Sequence, residues 1–124
     1  KIRTLLEAGA DPRVTDSKGF TPLQRAAAQL CSASKDYSET YRTLMSGLSE
    51  LWKSFHPRPD SRDEFIAAYL PMCRAFLESF APAIPNPAPA AYAAEWRAEE
   101  LDGIAALAAY AAWWARPGTM PSDL

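Results

Sequence analysis

Histidine and cysteine are scarce in this chain of 124 residues, which limits the chemistry that it can carry. His56 is the only histidine and lies next to a proline in a predicted turn. A Ser/His/Asp triad or a histidine-based metal site would therefore depend on that residue alone. Cys31 and Cys73 lie far apart among apolar residues, without the spacing of metal ligands. We expect no metal, no cofactor and two reduced cysteines in the core.

An excess of charge of one sign is also absent. The chain has 13 basic and 15 acidic residues, a net charge of −2 and a pI near 5.4. This balance gives no electrostatic reason to expect nucleic acid or an anionic membrane as a partner. The longest uncharged apolar stretch, Gly103 to Ala115, is shorter than the ~20 residues that cross a bilayer. We therefore expect another protein as the partner.

No signal peptide is recognisable, because Lys1 to Leu6 has the pattern of the middle of a helix. We therefore expect the natural chain to begin before Lys1. Two reduced cysteines are typical of a reducing compartment. We expect the cytoplasm or, if the protein is an effector that is delivered into a host cell, the cytosol of that host.

Residues that could carry catalysis have simpler explanations. Glu95 and Glu99 are one helical turn apart and could hold a divalent ion, but no histidine or second acidic cluster completes such a site. We interpret the acidic cluster that also includes Glu100 and Asp102 as a solvated helix face. The serines lack a Gly-x-Ser-x-Gly context, and no glycine-rich phosphate loop is present. We therefore predict that the chain is not an enzyme.

The first 30 residues predict two helices joined by turns. A short helix ends at Gly9, which can adopt the left-handed conformation that closes a helix. Asp16 to Gly19 predicts a second turn. Thr21 is then a suitable N-cap, and Pro22 occupies the first helical position, where its missing N–H costs nothing.

These residues resemble the junction between two ankyrin repeats. The resemblance lies in Leu5 to Pro12, Asp16 to Leu23 and the pair Ala26-Ala27, which agree with the family in order and spacing. The family repeats a turn and two helices about every 33 residues, with Thr-Pro-Leu-His opening the first helix. The resemblance implies an all-α fold, in which an ankyrin-type helix-turn-helix solenoid end is capped by a C-terminal bundle of about three helices.

The departures from the family pattern indicate that the array ends here. Gln24 replaces the usual histidine, and Arg13 stands where asparagine is common. No second Gly-Ala-Asp follows Ala28. We therefore assign residues 1–33 to the end of an ankyrin-repeat array.

The remaining chain has the pattern of long amphipathic helices. Residues 34–80 predict an enlarged terminal helix, with a stripe from Tyr37 to Phe55, and a second helix that Ser61 and Glu64 could open as a capping box. Pro71 is expected to kink that second helix. Residues 81–89 form a stiff proline-rich connector. Residues 90–124 hold a helix rich in alanine and tryptophan, from Ala90 to about Ala115, and a tail.

The resemblance implies binding through the turn tips and the exposed face of the first helix. Adjacent Trp113 and Trp114 point about 100° apart on a helix, so either the last helix is covered on two sides or one ring is exposed to a partner. The candidate partner-binding residues are Arg13, Ser17, Lys18, Phe20, Ala28, Gln29, Trp113 and Trp114.

Three functional hypotheses follow. The first is a non-catalytic adaptor, inhibitor or immunity-type protein that binds another protein through the repeat face. In the second, the repeat is the targeting arm of a bacterial effector whose helical C-terminal region has its own activity, which could be enzymatic. In the third, the last helix forms a homo-oligomer through Trp113 or Trp114.

Overall fold

Helices are the only regular secondary structure in a computed structural model that describes residues 2–9, 12–54 and 61–114. Within these residues, no helix has both the length and the hydropathy that a membrane span needs. The predicted all-α class is confirmed. Five α-helices and a short 3₁₀ turn (Ala81–Ala83) are present, and the helices are α1 (Ile2–Glu7), α2 (Pro22–Cys31), α3 (Tyr37–Ser54), α4 (Arg62–Phe80) and α5 (Ala93–Trp114).

The start of α2 is held by a reciprocal pair of hydrogen bonds. The backbone N–H of Gln24 donates to the Thr21 hydroxyl at 3.2 Å, and the Thr21 N–H donates to the Gln24 side-chain oxygen at 2.9 Å. Gln24 thus completes a capping box. The expected box at α4 does not form, because the Ser61 side chain makes no capping hydrogen bond there.

Helix α5 lies at the centre of the molecule and packs against α1, α2 and α4. Nine consecutive residues from Ile104 to Ala112 are buried, and six of them are alanines. A helix that is apolar on all sides has to be covered on all sides, and small side chains allow close approach of its neighbours. The last helix therefore packs on its own chain. It begins at Ala93, three residues later than predicted, since a turn occupies the preceding positions.

Helices α3 and α4 close the other side of the core. Leu44, Met45 and Leu48 of α3 are buried, as the predicted stripe requires, but Tyr37 is 42% exposed. Tyr37 is the first residue of α3 and stacks on Tyr41 at a centroid distance of 6.2 Å. Helix α4 runs unbroken through the exposed Pro71 to its last residue.

Aromatic rings join three of these helices around Phe65. The Phe65 ring lies 5.3 Å from Tyr69, 5.6 Å from Trp113 and 6.4 Å from Trp52, measured between centroids. Phe65 itself has no exposed surface. Contacts of this kind contribute beyond the area that they bury, by about 0.5–1.5 kcal/mol per pair. The cluster thus packs α3 and α5 against α4.

The proline-rich connector is fixed to the helices on both sides of it. The Asn86 side chain donates to the Ala93 carbonyl at 2.7 Å and accepts from the Ala88 N–H at 3.0 Å. Ile84 is 4% exposed. The Arg97 guanidinium donates to the carbonyls of Ala81 and Ile84 at 3.4 and 3.3 Å. These bonds hold the connector against the end of α4 and the first half of α5.

Helix α4 approaches α3 closely at Gly47. A Cβ atom added to Gly47 would lie 2.6 Å from Cε1 of Phe76 and closer still to the tip of that ring. This steric constraint explains a glycine in the middle of a helix, where it costs about 1 kcal/mol relative to alanine.

We predict that Gly47→Ala destabilises the protein by about 1 kcal/mol, because the clash with Phe76 outweighs the gain in helix propensity. In a Phe76→Ala background the same change should stabilise by up to ~1 kcal/mol, since the ring is gone. Urea unfolding followed by circular dichroism measures both values. Ser46→Ala, on the exposed side of α3, is the control and should be neutral or slightly stabilising. Stabilisation by Gly47→Ala in both backgrounds would contradict the close approach.

Both cysteines are free thiols in the core, as predicted. Cys31 and Cys73 have no exposed surface. Burial raises the pKa of Cys31 to about 11, with a smaller contribution from the Glu100 carboxylate, and burial raises the pKa of Cys73 to about 12. Thiolate formation at neutral pH is therefore strongly suppressed.

We predict that neither thiol of the folded protein reacts with Ellman's reagent at pH 8 on a timescale of minutes, because each is buried and protonated. Both should react completely in concentrated guanidinium chloride. A Ser38→Cys variant, which places a thiol on exposed α3 surface, serves as the positive control. Rapid reaction of Cys31 or Cys73 in the native protein would show that the core around it opens.

Candidate partner-binding surfaces

A turn centred on Asp16 presents the first exposed surface. One oxygen of the Asp16 carboxylate accepts from the backbone N–H groups of Lys18 at 2.8 Å and Phe20 at 3.1 Å. The Asp16 N–H donates to the Phe20 carbonyl at 2.9 Å, and Gly19 adopts a φ of 85°. These bonds hold the turn closed.

The second carboxylate oxygen of Asp16 connects this turn to α2. It accepts from Nε of Arg25 at 2.7 Å. The pKa of Asp16 is lowered, chiefly by the Phe20 N–H and then by the Arg25 guanidinium. Because both donors favour the charged carboxylate, Asp16 remains ionised and the turn remains closed at neutral pH.

The Arg25 guanidinium also covers an exposed aromatic ring. Its central carbon lies 4.5 Å from the centroid of Phe20, which is 43% exposed. Phe20 is therefore fixed next to a charged group while much of its ring faces solvent. Exposed arginine–aromatic pairs of this kind contribute about 0.5–1 kcal/mol each.

A second arginine–aromatic pair joins the turn region to the end of α5. The Arg13 guanidinium lies 5.4 Å from the Trp114 ring and donates to the Trp114 carbonyl at 3.3 Å. Trp114 is 36% exposed, whereas Trp113 packs partly into the core against Phe65. The helix is thus covered on more than one side, and one of its two terminal indoles still reaches the surface.

The structure separates the predicted partner-binding residues into groups. Most are exposed near the turn or at the end of α5, namely Arg13, Ser17, Lys18, Phe20 and Trp114. Ala28 and Trp113 are half-buried, and Gln29 is exposed on α2. Arg25 is not among the residues predicted from the sequence, because its role depends on a contact with Asp16, nine residues earlier in the chain.

A second surface is a groove between α2 and α5, which we call the α2–α5 groove. Its cavity volume is about 260 Å³. Helix α2 contributes two lining residues and α5 the other five, and the lining consists of Ala26, Gln29, Trp96, Glu99, Glu100, Gly103 and Ile104. The α5 residues Trp96, Glu99, Glu100 and Gly103 recur at the spacing of one helix face, so the sequence indicates the α5 wall of this surface but not its contact with α2.

Glu100 corrects the prediction that the acidic cluster is a solvated face. Glu95 and Glu99 are exposed, but Glu100 and Asp102 are half-buried. Oε1 of Glu100 lies 3.6 Å from Nε of Arg97, close enough for an ion pair but too far for a hydrogen bond. Neither atom has a hydrogen-bond partner within the described residues. Burial raises the pKa of Glu100, and Arg97 offsets that effect only in part.

No group of three or more histidine, cysteine or acidic residues is placed to hold a metal ion in the part of the chain that the structure describes. His56 lies outside that part.

Comparisons with known proteins yield no relatives. No protein-family model, no curated protein and no solved structure matches this chain.

We predict that Glu100→Gln stabilises the protein at pH 7. The raised pKa means that, as the pH rises from the ordinary value of 4.5, the folded chain holds a proton that the unfolded chain has lost. Stability therefore falls as the pH rises through this range, and the charged carboxylate opposes folding at pH 7. The difference between variant and wild type should disappear below pH 4.5. Urea midpoints measured from pH 4 to 8 test this.

Glu99→Gln is the matched control, because it removes the same charge from the neighbouring exposed position. It should change the midpoint little at any pH. If Glu100→Gln instead destabilised the protein at pH 7, the ion pair with Arg97 would outweigh the cost of burial.

Proposed function

We propose that this chain is a non-catalytic protein-binding module that engages another protein through the turn surface, defined as Arg13, Ser17, Lys18, Phe20 and Trp114. The observation that carries the proposal is the pair of exposed aromatic rings, each covered by an arginine of the same chain. Tryptophan and arginine are enriched among the residues that dominate binding energies at interfaces.

Preorganisation of the turn supports this proposal. The Asp16 carboxylate orders the backbone at Lys18 and Phe20 and the side chain of Arg25, which in turn lies over the Phe20 ring. Binding a partner then requires little further ordering of the turn backbone or of these two side chains, where ordering costs about 0.5–1.5 kcal/mol per immobilised side chain. A rigid turn with charged and aromatic groups suits recognition of a specific protein surface.

We further propose that residues 1–33 are the last unit of an ankyrin-type array. The positive φ values of Gly9 (104°) and Gly19 (85°) and the capped start of α2 at Thr21 support this assignment, since these are the positions that carry the resemblance. The proposed function would then follow the usual use of such arrays, which bind proteins through their turn tips.

Packing favours this proposal over an independent effector domain that begins after residue 33. Helix α5 buries its surface against α1 and α2 as well as against α4. Removing the first two helices would expose part of the face of α5 that they cover. The turn segment and the C-terminal helices are therefore best treated as one binding unit.

We predict that Lys18→Glu combined with Phe20→Asp abolishes capture of a specific partner from source-cell lysate, because the double variant removes a charge and an apolar anchor from the turn surface. Quantitative mass spectrometry of affinity-captured protein measures the loss. With the identified partner in purified form, affinity should fall by about tenfold or more.

The control variant combines Arg42→Glu with Tyr37→Asp on α3, where an exposed cation and an aromatic ring of equal exposure are changed in the same way. It should retain the partner, and thermal melts should confirm that both variants are folded. Capture of the same partner by both variants would place binding elsewhere. Capture of no specific protein by the wild type would contradict the proposed function.

A further inference from the structure

The α2–α5 groove is small and has one open aromatic wall. Its volume of about 260 Å³ is below the ~300–1,000 Å³ that enclose most small-molecule ligands, so it suits one long side chain. Trp96 is 38% exposed and forms part of the α5 wall. Ala26, Gly103 and Ile104 supply apolar surface beside it.

Of the two carboxylates in this groove, only that of Glu100 has a cationic partner within the described chain. Glu99 makes no hydrogen bond or ion pair with any described residue, and Oε1 of Glu100 has only the ion pair with Arg97. Arg97 offsets the charge of Glu100, while its terminal nitrogens donate to the carbonyls of Ala81 and Ile84, so the charge of Glu99 remains without a counter-charge from the described residues. The lining contains no basic residue, so an occupant with a positive charge is favoured.

Trp96 differs from the exposed rings of Phe20 and Trp114, because no arginine of the described part of the chain lies over it. Phe20 and Trp114 each carry an arginine of the same chain, at 4.5 and 5.4 Å. Within the described residues, neither a cation nor a second ring packs on Trp96. An indole face next to two carboxylates is suited to a guanidinium, which stacks on aromatic rings and forms planar hydrogen bonds with carboxylates.

We propose that the α2–α5 groove binds an arginine side chain of the partner protein, with the guanidinium over Trp96 and paired with Glu99 and Glu100. The aliphatic part of the arginine lies along Ala26 and Gly103. This inference rests on the proposed function, because it assigns the chemistry of a second contact with the same partner. Arginine is favoured over lysine because a planar group can stack on the indole and reach both carboxylates.

Titration with the short peptide acetyl-Gly-Arg-Gly-amide, followed by ¹⁵N NMR, tests the groove without knowledge of the partner. We expect saturable shifts of the Trp96 indole N–H and of the Gly103 and Ala26 amides, with a millimolar dissociation constant. Trp96→Phe assigns the indole signal. The corresponding lysine peptide should bind more weakly, and the glutamate peptide should cause no shift of these signals.

Two variants test the assigned contacts through the Gly103 amide. Trp96→Ala and Glu99→Gln should each weaken binding of the arginine peptide by about threefold or more. Glu39→Gln, on exposed α3 surface, changes the net charge equally and should leave the affinity unchanged. Thermal melts verify that each variant is folded.

Several outcomes would overturn the proposal: no shift at Trp96 or Gly103, equal shifts with the glutamate peptide, or an unchanged affinity in Glu99→Gln. Shifts of the groove signals on dilution without peptide would show that a second copy of the chain occupies the groove, which also overturns it. Failure of the peptide to bind, with capture still dependent on Lys18 and Phe20, would leave the proposed function standing. Peptide binding without any captured protein would support the arginine site and contradict the proposed function.

Discussion

Burial of α5 on all sides is the constraint on which the rest of the structure depends. The run from Ile104 to Ala112 leaves no polar face, so α1, α2 and α4 must all lie against this helix. Alanine makes this arrangement feasible, because a small side chain on every side lets several helices approach the same axis. The alanines of α5 fill little of the core volume, and most of the rings around Phe65 come from α3 and α4, with Trp113 as the contribution of α5.

Arginine side chains join the helix ends that this packing brings together. Arg62 donates to the carbonyl of Glu7, the last residue of α1, and Arg13 donates to that of Trp114, the last described residue of α5. Arg97 donates in the same way to the carbonyl of Ala81, the residue that follows α4. The bonds of Arg62 and Arg97 place a cation near the carbonyl end of a helix, where the partial negative charge of the helix favours it. The same residue type thus contributes to the fold and, at Arg13, to the candidate binding surface.

Both candidate surfaces depend on the position of α5. Its last residue carries the indole beneath Arg13, and its first half forms one wall of the α2–α5 groove. The turn itself could be anticipated from the sequence, since Gly19, Thr21 and Pro22 determine a local conformation, but the contact of Arg13 with Trp114 could not. The groove could not be anticipated in the same way. Its two walls are about 70 residues apart in the chain, and only their contact makes Glu100 a half-buried carboxylate.

The sequence by itself determined the local features: where α2 begins, that the chain is all-α, that the cysteines are core thiols, and which turn presents Phe20. The helix start and the turn follow from interactions among residues a few positions apart, such as the bonds between Thr21 and Gln24, and the core position of the cysteines was indicated by their apolar neighbours in the sequence. The tertiary structure alone decided which helices surround α5, why Gly47 lies in mid-helix and which acidic side chain is buried. A helix that is apolar on every side carries no stripe to indicate its neighbours, and burial is set by residues distant in the chain.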